Sequence, residues 1–161
     1  METIQVPRNV KQALRRIAEE RGLTLGEALV ELVIDASDPG ERSRAYIEAA
    51  HELIAQAGRE LEEGSYRQAS EKIWGAAALA IKAHAYSSEK KRLASHSELW
   101  QYKSKIAEEL GEWIHDAWAQ ANAMHTNFYE RWADKQSIQK ALDSVEKLIE
   151  AIYQKVTNKN P

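Results

Sequence analysis

Residues 73–85 read Ile-Trp-Gly-Ala-Ala-Ala-Leu-Ala-Ile-Lys-Ala-His-Ala, apolar at almost every position. A helix with one apolar stripe can lie on a surface, but a helix apolar all round has to be enclosed. The pattern predicts a helix over 66–86 at the centre of a bundle. Its small residues, Ala69, Gly75, Ala76, Ala77, Ala78 and Ala80, let neighbouring helices come close. The run is far shorter than the roughly 18 apolar residues that a bilayer span needs, and it carries Lys82 and His84. No membrane is expected as a partner.

The flanking sequence supplies helices to do the enclosing. Residues 43–63 place Tyr46, Ile47, Ala50, Leu53, Ile54, Ala57 and Leu61 on one face. Glu63-Gly64-Ser65 is a tight turn, which makes the next helix an antiparallel neighbour. Residues 87–95 read as a polar, basic loop. Ser95-His96-Ser97-Glu98 has the spacing of a capping box, and Gly111 ends the helix it opens. Residues 112–129 turn Ile114, Ala117, Trp118, Ala121, Met124 and Phe128 inward. Residues 137–156 carry Ile138, Ala141, Leu142, Val145, Leu148, Ile149, Ile152 and Val156 at helical spacing. The expected fold class is all-α, an antiparallel bundle of five helices over 41–156, with a frayed tail over 157–161.

Residues 1–38 form a separate arm. Thr3-Ile4-Gln5-Val6 alternates polar and apolar, the period of a half-exposed strand, and Pro7 stops it. Val10, Leu14, Ile17 and Ala18 recur at helical spacing up to Gly22. Thr24-Leu25-Gly26-Glu27 is another capping box, opening a helix with Ala28, Leu29, Leu32 and Val33 on one face. Asp38-Pro39-Gly40 breaks the chain. A four-residue strand with no partner in its own chain suits an intermolecular ribbon, so a homodimer is expected.

Composition excludes several chemistries. The 161 residues include no Cys, which removes disulfides, cysteine-ligated metal and thiol catalysis. Net charge is only -3, too small to drive the whole protein toward nucleic acid or membrane. The charge is uneven, however. Residues 25–64 hold ten acidic and three basic side chains, and residues 65–92 hold six basic and two acidic. No leader pattern follows Met1, so a cytoplasmic location is expected. No two histidines stand at i, i+4, and there is no phosphate-binding loop or dinucleotide glycine pattern. No metal and no cofactor are expected.

What remains is His, Lys, Glu, Tyr and five Trp against one Phe. His125 lies on the face of Ala121 and Phe128, which suits either a hydrogen-bonded core residue or a general acid/base. Asn127, Tyr129 and Glu130 crowd the same helix end and are taken with it as the catalytic set, the alternative being a polar helix end that caps its own carbonyls. His96 opens its helix just after Lys90, Lys91 and Arg92, where amides and dipole favour an anion. Lys72 and Trp74 could form a pocket wall, the indole stacking on a base, and Lys82 either snorkels or pairs with a carboxylate. Lys72, Trp74, Lys82 and His96 are the candidate ligand-binding residues.

Two resemblances sharpen these alternatives. Thr3-Ile-Gln-Val-Pro7, then Val10, Leu14 and Ile17, then Glu20-Arg-Gly-Leu-Thr24, then Glu27-Ala-Leu resemble the ribbon-helix-helix family of DNA-binding dimers. That resemblance implies Thr3 and Gln5 as base readers and Arg8 and Lys11 near phosphates, although the strand has no Lys or Arg. The alternative is an arm that packs or dimerises without DNA. Three further blocks run from Ser65 to His84, from Leu93 to Trp100 (Leu-Ala-Ser-His-Ser-Glu-Leu-Trp) and from Met124 to Glu130 (Met-His-Thr-Asn-Phe-Tyr-Glu). Over roughly 40–156 they resemble the archaeal PaREP family, whose bundle is similar in turn to the HEPN superfamily. This implies a module associated with nucleotides or nucleic acid, of a toxin–antitoxin kind. If it is an enzyme, the resemblance implies a metal-independent ribonuclease. HEPN nucleases use an Arg a few residues before a His, and no arginine lies between Lys105 and Arg131. The alternatives are a structural or regulatory homodimer without chemistry and a DNA-binding regulator.

Overall fold

A computed structural model describes residues 2–159, so Asn160 and Pro161 of the expected frayed tail lie outside the described residues. The chain divides into two compact units, Met1–Asp38 and Pro39–Pro161.

The first unit holds two helices, α1 (Arg8–Arg21) and α2 (Leu25–Ala36). Gly22 closes α1 at φ 67, with its N–H bonding back to the last turn. Glycine takes that left-handed conformation without the Cβ clash that other residues meet. The Thr24–Glu27 capping box forms as expected, with Glu27 N–H donating to Thr24 Oγ1 at 3.2 Å and Thr24 N–H to Glu27 Oε2 at 2.8 Å. The expected strand is absent. Residues 2–7 are exposed and carry no ladder. A strand is defined by its partner, and the described chain offers none.

The second unit opens with a 3-10 turn, Pro39–Glu41, followed by five helices: α3 (Arg42–Glu62), α4 (Tyr66–Glu89), α5 (His96–Leu110), α6 (Trp113–Glu130) and α7 (Lys135–Lys159). Helix α4 is the centre, with every residue from Ile73 to Ala85 buried. It packs against α3, α5, α6 and α7. Ser43 of α3 donates to the Ala83 carbonyl at 3.0 Å, while Glu60 pairs with Lys72 at the opposite end. That crossing order makes α3 and α4 antiparallel, as the turn at Glu63–Ser65 predicts. The end of α4 falls later than expected, because Ser87-Ser88-Glu89 continue the helix until Lys90 turns left-handed at φ 54.

One direction departs from the antiparallel expectation. Trp74 meets His96, His84 meets Tyr102 and Glu89 meets Lys105, so contacts advance together along both helices. Helix α5 therefore runs parallel to α4. Residues 90–95 are a return strap along the bundle rather than a hairpin turn. Leu93, only 2% exposed, pins the strap to the core. Ser95 and Glu98 then form the second capping box, as expected.

A buried polar network fastens α5. The His84 ring, 3% exposed, bonds Tyr102 Oη through Nδ1 at 3.0 Å and Glu109 Oε2 through Nε2 at 2.9 Å. Lys155 of α7 reaches Glu109 at 3.1 Å. Burial, then the charges of Glu89 and Glu109, push the Tyr102 phenol up to about 12 against a lowering bond from Ser88. The phenol stays protonated, and the His84 ring bridges it to the Glu109 carboxylate.

This network makes a pH prediction. Burial acts to raise the Glu109 carboxyl, but the Lys155 bond and the charge and bond of His84 outweigh it, and the net direction is down. A carboxyl lowered in the folded state adds stability above its unfolded value and loses it as pH falls through the folded value. The Tm of the wild type should therefore exceed that of Glu109→Gln near neutrality, with the gap closing as pH drops below about 4.5. A gap that stays constant down to about pH 3 would remove Glu109 from the acid transition.

Candidate functional site

Trp74 is the one aromatic ring within the buried run of α4 other than His84. Trp74 is 7% exposed and faces α5 and α6. Three rings gather on it. His96 stacks at 5.0 Å and 29°, His125 lies at 4.8 Å and 33°, and Trp118 tilts against it at 5.0 Å and 52°. His96 and His125 are then 6.0 Å apart, centroid to centroid. Two further rings extend the cluster to the surface. Trp100 meets Trp118 edge-on at 5.9 Å, and Tyr129 meets His125 edge-on at 5.6 Å. Burial grades across the set. Trp118 is fully enclosed, His125 is half-buried, and Trp100 and Tyr129 are 36% and 65% exposed. The corner has an interior wall and an open mouth.

Local sequence explains the placement. The capping box fixes the first residue of α5, which is His96, over Trp74. One turn later, Trp100 Nε1 donates to His96 Nε2 at 2.8 Å. That bond requires Nε2 to be an acceptor, so the ring proton of neutral His96 sits on Nδ1. On α6, residues 118, 125 and 129 fall on one face by helical spacing. Trp118 Nε1 is buried with no hydrogen-bond partner.

The structure brings together His96, Trp74, His125 and Tyr129 and separates the rest of the expected set. Asn127 is 1% exposed. Its amide donates to Ser70 Oγ at 2.8 Å and accepts from Ala133 N–H at 2.7 Å. Both ends of the amide are used to tie α6 and the 131–134 turn to α4, so Asn127 is a core brace. Nearby, Arg67 donates to the Phe128 carbonyl at 2.6 Å, and Arg131 ends the helix at φ 57. Glu130 is the exposed last residue of α6. Lys72 lies two residues from Trp74, hence on the far side of the helix, and pairs there with Glu60 of α3. Lys82 is 9% exposed and about 12 Å further along α4. Thr3, Gln5, Arg8 and Lys11 lie in the other unit, all exposed.

Sequence reasoning missed two groups. The His84–Tyr102–Glu109–Lys155 network joins residues from three helices with no local signature. Lys103 donates to His115 Nδ1 at 2.7 Å and lies over the Trp100 ring at 5.1 Å. The Trp100–Lys103 spacing of three residues was a visible signal, whereas His115 needed the fold. Among the described residues, no cluster of His and acidic side chains could hold a metal ion. Among the described residues, no helix is long and apolar enough to cross a membrane.

The comparisons concern this same unit. The family model described as the archaeal PaREP1/PaREP8 family matches residues 45–149, a range that contains every ring of the corner. No curated protein matches the chain. A crystal structure of a protein from Sulfolobus solfataricus superposes with a TM-score of 0.61 at 23% identity, covering 66% of this chain and 94% of that one. At that identity the likeness speaks for the helical fold.

A brace and a catalyst fail differently. Asn127→Ala should destabilise the protein by about 1–3 kcal/mol, since it leaves Ser70 and the Ala133 amide unpaired. Its folded fraction should keep the ring contacts of His96 and His125 in aromatic NMR spectra. Wild-type Tm combined with displaced imidazole resonances would return Asn127 to the site.

Proposed function

The chain belongs to the archaeal PaREP1/PaREP8 family, and we propose that this member is a HEPN-like module associating with nucleotides or nucleic acid through the aromatic corner. The observation that carries the reading is the graded ring cluster. Two imidazoles flank one buried indole 6.0 Å apart, and two partly exposed rings stand at the mouth. Exposed aromatic faces stack on bases of any sequence. An imidazole beside the stacked base takes or gives a proton near neutral pH without a metal. The corner offers His125 and His96 for that work, with Tyr129 at the rim. Phosphodiester cleavage here would run through paired imidazoles in place of the Arg–His pair of HEPN nucleases. Partner binding of a toxin–antitoxin kind fits the same module.

The test uses a labelled single-stranded RNA in the presence of EDTA. Trp100→Ala should weaken binding by about 1–3 kcal/mol, the worth of one stacked base. His125→Gln should remove any cleavage and leave Tm in place. Equal affinity in wild type and Trp100→Ala would retire the stacking site. Loss of Tm alone in His125→Gln would make His125 a packing residue.

A second reading, a DNA-binding regulator, rests on the first unit. Ile4, Val6, Val10, Leu29 and Val33 are 71%, 46%, 46%, 40% and 58% exposed. That is much apolar surface for two short helices and an unpaired segment. Pairing of residues 2–7 with a second copy would cover it, and Arg8, Lys11 and Arg15 would line one side of α1 toward phosphates. Deleting residues 1–7 should turn a dimer into a monomer on light scattering and abolish salt-dependent DNA retention. A dimer that survives the deletion speaks against the ribbon, and dimerisation without any DNA binding leaves a structural homodimer.

A further inference from the structure

The aromatic corner has stacking faces and two imidazoles, but its rings carry no fixed charge. Lys103 stands beside it. Its ammonium is held over the Trp100 indole at 5.1 Å and donates to His115 Nδ1 at 2.7 Å. Because that nitrogen accepts, the proton of the neutral His115 ring sits on Nε2, which faces the Glu112 carboxylate at 3.8 Å. Glu112 itself is 95% exposed. The ring is thereby fixed in the tautomer that receives Lys103. The half-buried ammonium is restrained on two sides, by a π face and by a ring nitrogen. An ammonium has three donors. One is spent on His115, and the other two meet no described residue.

We propose that Lys103 is the anion-binding residue of the corner, and that the ligand is a phosphate ester whose base stacks at the corner mouth while its phosphate takes the two unspent donors. The proposal rests on the nucleotide reading of that site and adds the group that would read charge there. A pre-positioned ammonium loses little freedom when it meets a phosphate, which makes the charge-assisted bonds effective. The indole ties the two halves together. Trp100 donates to His96 on one side and carries Lys103 on the other, so base and phosphate would be read from adjacent residues of one helix turn.

The experiment compares adenosine, AMP and a short oligoadenylate on wild type, Lys103→Met and Lys103→Arg, by calorimetry and by the imidazole NMR signals of His96, His115 and His125. In wild type, AMP should bind about tenfold more tightly than adenosine. In Lys103→Met that advantage should vanish while adenosine affinity stays the same, and Lys103→Arg should restore most of it. The His115 signal should move with AMP and stay put with adenosine. A Lys103 effect on the oligonucleotide alone assigns the phosphate to a strand, and an effect on AMP as well assigns it to a terminal phosphate. Either supports the proposal. If Lys103→Met changes neither the AMP-to-adenosine ratio nor the oligonucleotide affinity, Lys103 does not read phosphate although the stacking site stands. If neither base ligand nor oligonucleotide binds, both proposals fall.

Discussion

Everything in the larger unit follows from enclosing α4. From Ile73 to Ala85 that helix has no face it can leave to water, so four helices must close around it. Alanine sets how this is done. It offers little area of its own, about one methyl group per residue, so the core volume has to come from the neighbours. Ile47, Ile106, Ile114, Leu148, Ile149 and Ile152 are all fully buried and supply it. Trp74 is the exception on the small surface. An indole there holds the neighbours further off than alanine would, and the gap is filled by flat rings. The aromatic corner is thus the packing consequence of one indole on an alanine-rich helix.

Direction matters as much as burial. A simple hairpin after α4 would lay α5 antiparallel to it and carry His96 to the far end of the bundle. The strap of residues 90–95 instead brings the chain back toward Trp74 before α5 begins. Leu93 anchors the strap, and the Ser95–Glu98 box decides which residue is the first of the helix. Glu98 accepts bonds from the Ala94 and Ser95 amides, which hold its carboxyl below the usual range. At the other end, the His84 network fixes the helix against rotation. Two polar devices, one at each end of α5, therefore hold the rings of the corner in register.

Helices and their caps were readable from the sequence because they depend on neighbours three and four residues away. The all-round apolarity of residues 73–85 located the central helix, and both capping boxes located helix starts. Trp74, His96, His125 and Tyr129 were chosen from separate segments, and they do meet. Helix direction was not readable, since a loop of six residues fits a turn or a strap equally well. Lys72 and Asn127 were misplaced for a related reason. Each sits within two residues of a ring of the corner, but sequence proximity on a helix places residues i and i+2 on different faces. Lys103 and His115 belong to different helices, and only the pairing of α5 with α6 brings the ammonium to the imidazole.

The first unit teaches the converse. Thr3-Ile4-Gln5-Val6 has the alternation of a strand, and in this chain it forms none. A period of two states which side chains share a face, whereas a ladder requires a second edge to bond. The pattern alone does not supply that edge. The apolar residues left in water, Ile4, Leu29 and Val33, likewise follow the core-like spacing of their segments and are not covered by the described chain. In the larger unit most of the comparable apolar positions are buried. The two units are patterned equally well, and the first leaves several of its apolar side chains exposed.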